Sequence, residues 1–233
     1  MRLGRNSGAA FAALQHAYIL TAFNPDRSVI LMDKNIEIEL PRPEDVVVMD
    51  IEASSLRGTS KTVYDTDSTS YPVEIGIAHA DGRTEAHLIK PEASWKDWNG
   101  EHGNEDKGRI HGISRRQLFE EGRDVRDVAG WLNDELTGKV VMCDSPEAKA
   151  DTFWIDRLFQ AAQVERTFDI QYLYDYIDLQ DPDMGRAYDN TGLSREAPHR
   201  AGQDAADVMI LYSEYYALKN SDDQRPDFDT PSF

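Results

Sequence analysis

The hydrophobic positions of this chain follow two different periods, and the place where one gives way to the other divides it. Val46 to Met49 is an unbroken apolar, mostly β-branched run, the pattern of a buried strand in a parallel or mixed sheet. It continues as Asp50-Ile51-Glu52-Ala53-Ser54-Ser55. Tyr71 to Ala80 alternates as a second strand, Asp81-Gly82 is a turn signal, and Arg83 to Lys90 returns as a third, which predicts an antiparallel meander. From Ser114 onward the period is helical. A short helix is expected over Ser114 to Glu121 with Ser114 as its cap, then an amphipathic helix over Asp124 to Leu136 ending at Gly138. Lys139 to Asp144 reads as a fourth strand, Ala150 to Gln163 as a helix with Phe153, Trp154, Ile155, Leu158 and Phe159 on its apolar side, and Thr167 to Gln171 as a short fifth strand. Leu173 to Ile177 reads as a helical turn and Pro198 to Lys219 as the last helix. The expected fold class is α/β: a five-stranded mixed sheet, the meander plus two further strands, with helices on both faces.

The remaining stretches set the domain limits. Residues 1–44 read as an N-terminal extension and 45–219 as the domain. Within the extension, Met1-Arg2-Leu3-Gly4-Arg5 before the apolar Ala9 to Phe23 resembles a weak signal peptide, but Gln15 and His16 interrupt the apolar centre and no clean cleavage site follows. The stretch is also too short and too polar to span a bilayer. It is read as a loosely attached helix, or as an overlong start with the true one near Met32. Leu56 to Ser70 is a Ser-, Thr- and Gly-rich loop leaving the Asp50/Glu52 pair, and Pro91 to Gly112 is irregular and carries Trp95, Trp98 and His111. The tail, 220–233, is polar and acidic with two prolines and is expected to be disordered.

Charge narrows the partners. With 43 Asp and Glu against 25 Lys and Arg, the chain of 233 residues has a formal net charge of -18, which argues against a broad basic surface for long duplex nucleic acid. A protein that meets a few phosphates through bound cations is not excluded by that balance. The one cysteine, Cys143, lies in an apolar run and is read as a buried strand residue. A reducing cytoplasm, with no membrane association, is the expected location.

Residues two apart on a strand point to the same face, so Asp50 and Glu52 converge. Two such carboxylates repel unless a cation lies between them, and a divalent metal is the usual remedy. Two further clusters stand downstream: Asp144-Ser145-Pro146-Glu147-Ala148-Lys149-Ala150-Asp151-Thr152-Phe153-Trp154, and His199-Arg200-Ala201-Gly202-Gln203-Asp204. An Asp-x-Glu ending a first strand, an Asp opening a middle helix and a His-x-x-x-x-Asp on a late helix resemble, in order, the motifs of the DEDDh 3′→5′ exonucleases. That family, in the RNase H-like superfamily, includes oligoribonuclease, RNase T and the polymerase III proofreading exonuclease. Tyr71-Pro72-Val73-Glu74-Ile75-Gly76 and Ile110-His111-Gly112-Ile113-Ser114 are two supporting matches.

The resemblance implies an RNase H-like domain whose metal ligands fall on Asp50, Glu52, Asp151 and Asp204, with His199 as general base. It implies two divalent ions, Mg²⁺ or Mn²⁺, and a single-stranded RNA or DNA 3′ end as partner, RNA slightly favoured. Relatives are often homodimers. Ile51, Ser54, His111 and Trp154 are candidate substrate contacts, and Lys149, Arg115, Arg116 and Arg200 candidate phosphate contacts. Asp144 and, more remotely, Asp156 rival Asp151 as the third carboxylate; Asp151 is preferred because Asp-x-x-Trp before an apolar helix matches the family better. The chemistry suits the residue types: hard cations prefer oxygen ligands, two of them can serve both oxygens of an in-line displacement, and histidine, with an ordinary pKa of roughly 6.5, can take a proton from water. Positions five apart on a helix are about 140° apart, so His199 and Asp204 act together only if His199 precedes the helix. A catalytically silent nucleic-acid-binding module and a phosphodiesterase acting on dinucleotides are the alternatives.

Overall fold

The computed structural model describes residues 39–55, 69–98, 111–144, 149–193 and 199–222, with the backbone of the short ladder 103–104 and 107–108. The expected N-terminal helix, most of the loop that follows the first strand, and the tail beyond 222 lie outside these residues. Strands β1 (Val46–Ala53), β2 (Pro72–His79) and β3 (Thr84–Leu88) form the expected antiparallel meander. Two minimal strands, β4 (Gly103–Asn104) and β5 (Lys107–Gly108), pair only with each other. Helices α1 (Arg115–Glu121) and α2 (Val125–Leu136) lead to β6 (Val140–Cys143), which lies parallel to β1. Helix α3 (Lys149–Ala162) crosses to β7 (Ile170–Tyr172), parallel to β6, and α4 (Pro182–Thr191) and α5 (Ala201–Asp222) are the last of the described elements. The main sheet has the order β3-β2-β1-β6-β7.

The central strand explains the layering. Val46 to Met49 are each no more than 1% exposed because both faces of β1 are covered. Alternation then sorts its side chains. Val47, Met49 and Ile51 join Ile75, Leu118, Val128, Leu132, Ile155 and Leu158 in the core beneath α1, α2 and α3. Val46 and Val48 join Met142, Met184, Met209, Tyr212 and Tyr215 in a second core beneath α4 and α5. Asp50 and Glu52 continue the Val46/Val48 series, so they face the side of the sheet that α5 covers.

Several boundaries are set locally and agree with the sequence. Ser114 caps α1, its Oγ accepting from the Gln117 amide at 3.0 Å, and Asp124 caps α2 through the Arg126 amide. Three expectations need correction. The last helix begins at Ala201 rather than Pro198, and it runs through Asp222, so residues 220–222 of the supposed tail are helical. The fifth strand is Ile170–Tyr172, because the Thr167 amide and hydroxyl are taken by the Asn133 side chain instead of a neighbouring strand. Helix α4 is an element that the hydrophobic pattern does not predict; Asp181 caps it, Pro182 opens it and Gly192, at φ 63°, closes it.

Candidate active site

The chemistry gathers where β1 ends. Asp50 and Glu52 lie side by side there, opposite Gly76 and Glu74 of β2, and the register slips between Glu52 and Ala53. Such a bulge ends regular pairing and re-aims the chain beside the acids. On the other flank, β6 runs parallel with Val48 opposite Met142, so two residues further along Asp50 and Asp144 stand at the same level. Burial raises the Asp50 carboxyl well above its usual range, and Asp144, Asp151, Glu52 and Asp204 raise it further by repulsion. Asp151, in the first turn of α3, is 4% exposed. Burial likewise raises Asp144. Asp144 and Asp151 therefore both belong to the acidic cluster. Asp156 does not: its side chain is 62% exposed and faces Arg166 at 3.5 Å.

Helix α5 supplies the other wall. Asp204 lies in its first turn, and His199 precedes the helix by two residues, the placement its spacing requires. His199 Nδ1 is 3.8 Å from Asp204 Oδ2. One ligand atom each from Glu52, His199 and Asp204 fall within 4.8 Å of one another. Glu52 is pushed up from the usual 4.5 to about 7 by burial, then by Asp204 and Glu74, with Arg200 opposing. Burial also raises Asp204, against the pull of His199. Sheet and helix thus hold carboxylates in positions that, in the absence of a cation, favour the protonated state.

What holds α5 there is a contact that sequence reading missed. Glu74, 2% exposed, accepts hydrogen bonds from Arg200 Nε at 2.9 Å, from Arg200 Nη2 at 2.5 Å and from the Ala201 amide at 3.1 Å. Two positions along the same face is Gly76, where a Cβ would lie 2.2 Å from the Ala201 carbonyl carbon, so the helix backbone rests directly on β2. The signal in the sequence was an acid in a strand whose other positions are apolar; a buried carboxylate demands a charged or hydrogen-bonding partner.

The four candidate substrate contacts are buried and engaged within the protein. Ile51 packs in the core, and Ser54 Oγ accepts from the Tyr71 amide at 3.1 Å. His111 Nδ1 accepts from the Ile113 amide at 3.1 Å, with Trp98 edge-on to its ring. Trp154 Nε1 donates to Ser70 Oγ at 3.0 Å, and Ser70 in turn donates to the Ser55 carbonyl, which ties α3 to the strand end below the acids. Trp95 stacks on Tyr71 with centroids 5.1 Å apart and is core. Among the phosphate candidates, Arg200 is committed to Glu74, Arg115 donates to the Trp95 carbonyl, and Arg116 is exposed beside Glu120. The Lys149 side chain lies outside the described structure.

Among the described residues no helix is long and apolar enough to cross a membrane. No family model and no curated protein sequence matches the chain. Its structure is similar to the RNase domain of the yeast Pop2 protein, with a TM-score of 0.52 at 12% identity over 92% of this chain and 84% of that one. It is also similar to E. coli exonuclease I in complex with a dA16 oligonucleotide, with a TM-score of 0.51 at 11% identity over 76% of this chain and 42% of that one. The chain thus spans less than half the length of exonuclease I. At such identities the likeness is one of architecture, and the chain has the RNase H-like α/β fold that it shares with these two structures.

Proposed function

We propose that this protein is a metal-dependent exonuclease that removes nucleotides from the 3′ ends of single-stranded RNA or DNA. The observation that carries the reading is the convergence of Asp50 and Glu52 from β1 with Asp204 and His199 from the start of α5, beside Asp144 and Asp151. An acidic cluster whose members raise one another's pKa is a poor end state for a protein alone and a good one for divalent cations. The donors are hard oxygens, which suit Mg²⁺ or Mn²⁺. Asp50, Glu52, Asp151 and Asp204 would hold the ions, with Asp144 a further acid at the same level. Two bound ions would supply positive charge for the phosphate and make a coordinated water more acidic.

The chain's own residues divide the remaining tasks. His199 has Nδ1 on the Asp204 side and a ring that is 63% exposed, leaving Nε2 to take a proton from the attacking water. The water oxygen bonds to phosphorus, the P–O3′ bond breaks, and the departing 3′ oxygen takes a proton from solvent. Exonuclease I in complex with a dA16 oligonucleotide supports the choice of single strands by analogy of fold.

The test uses 5′-labelled single-stranded RNA and DNA with Mn²⁺, Mg²⁺ or EDTA. The expected result is a ladder that shortens from the 3′ end and disappears in EDTA. Binding of the strands without cleavage under any divalent ion would replace this reading with a silent binding module. Cleavage of dinucleotides alone would redirect it to a small-substrate phosphodiesterase.

A further inference from the structure

Asp204 and Glu52 belong to different elements and carry like charges, so the wall that holds one against the other has to resist their repulsion. A contact across the sheet–helix interface is placed to do this. The opening amide of α5, on Ala201, is bound by the carboxylate of Glu74 across the interface. The same carboxylate takes Arg200 through two nitrogens, Nε at 2.9 Å and Nη2 at 2.5 Å. This planar two-point grip fixes orientation as well as distance. Glu74 stands directly opposite Glu52 in the β1–β2 register, an arrangement of like charges that ordinarily destabilises a sheet. An apolar residue there would spare the sheet that repulsion, and the strand's other face is apolar throughout, at Val73, Ile75 and Ile77.

We propose that Glu74 is a positioning residue of the candidate metal site: through Arg200 and the Ala201 amide it clamps the start of α5 to β2, holding Asp204 and His199 beside Glu52. The inference rests on the metal-site reading given above, and it concerns a residue outside the proposed ligand set. Arg200 places a positive charge near Glu52 and so offsets part of the repulsion that the clamp works against. Arg200 accordingly serves the site from behind.

The experiment is a Mn²⁺ titration by calorimetry on the full chain, which reads the site without requiring turnover. E74Q keeps a neutral acceptor for Ala201 but loses the charge that grips Arg200, and E74A loses both. Removal of a group that orients metal ligands typically costs 10–100-fold in affinity, so E74A should bind Mn²⁺ about 10-fold or more weakly, with E74Q intermediate. L132A, which hollows the core on the opposite face of the sheet, is the control for lost stability. It should melt at lower temperature yet bind Mn²⁺ like the wild type. Wild-type affinity in E74A would overturn the proposal, and so would an equal loss in L132A. Wild-type protein that binds Mn²⁺ but cuts no strand would refute the nuclease reading and leave the clamp standing. Wild-type protein that binds no Mn²⁺ would overturn both.

Discussion

Replacing Glu52 with Gln should stabilise the metal-free protein while abolishing its activity. The Glu52 carboxyl is raised from the usual 4.5 to about 7, by burial and by Asp204 and Glu74. A group whose folded-state pKa lies above its unfolded one favours the folded state most at low pH. That advantage is lost as pH rises through 4.5 to 7 and is gone above about 7. A rise of that size corresponds to about 3 kcal/mol of strain carried at pH 8 by the ionised carboxylate, at roughly 1.4 kcal/mol per pH unit. Glutamine keeps the shape and hydrogen-bonding capacity without the charge. In EDTA at pH 8, E52Q should therefore melt roughly 6–12 °C above the wild type, since 1 kcal/mol moves Tm by about 2–4 °C in a domain of this size. By pH 5 most of that gap should close. Excess Mg²⁺ should raise the wild-type Tm and affect E52Q far less, because the variant has already shed the repulsion that the ion relieves. Thermal melts at the two pH values, with and without Mg²⁺, provide the assay. An E52Q protein that melts at or below the wild-type temperature in EDTA at pH 8 would refute the reasoning.

Further outcomes follow from the same geometry. Asp50→Ala should reduce cleavage to background while leaving the circular dichroism spectrum and cooperative melt intact; normal turnover would rule out the site. His199→Ala should lower kcat by about 10²–10⁴ in single-turnover assays, the range for losing a general base, with Mn²⁺ binding far less affected. Mn²⁺ affinity measured by calorimetry should tighten as pH rises towards about 7, where Glu52 becomes ionised, and a pH-independent affinity would exclude Glu52 as a ligand. Gly76→Ala should cost about 1–3 kcal/mol in urea unfolding, because its Cβ would fall 2.2 Å from the Ala201 carbonyl carbon.

How legible the molecule was depended on whether local or distant groups set each feature. The meander, Ser114 and Asp124 as caps, and the apolar side of α3 follow from periods and side chains close in sequence. So does the Asp50/Glu52 pair, which needs only the two-residue repeat of a strand. Helix α4 was missed because its terminal signals, Asp181-Pro182 and Gly192, enclose a polar run whose buried apolar residues are few, Met184 and Ala187 among them. The start of α5 was placed three residues early because its first amide is satisfied by Glu74, 127 positions away. Asp144 and Asp151 could not be ranked by spacing alone, since the sheet register brings the first to Asp50 and the α3 start brings the second.

Gly76 carries a consequence for how rigidly the acids are held. Where helix backbone lies directly on strand backbone, no intervening side chain can change rotamer, so α5 has no freedom to slide or roll at that point. Asp204, one turn along the helix, is thereby fixed to the sheet as firmly as Asp50 and Glu52 are. His199 lies beyond the helix start, outside this contact and 63% exposed. The acids thus share one frame, and the His199 imidazole stands outside it. The spacing of Asp204 from the β1 acids is then a property of the backbone, and a substitution at His199 should leave it unaltered.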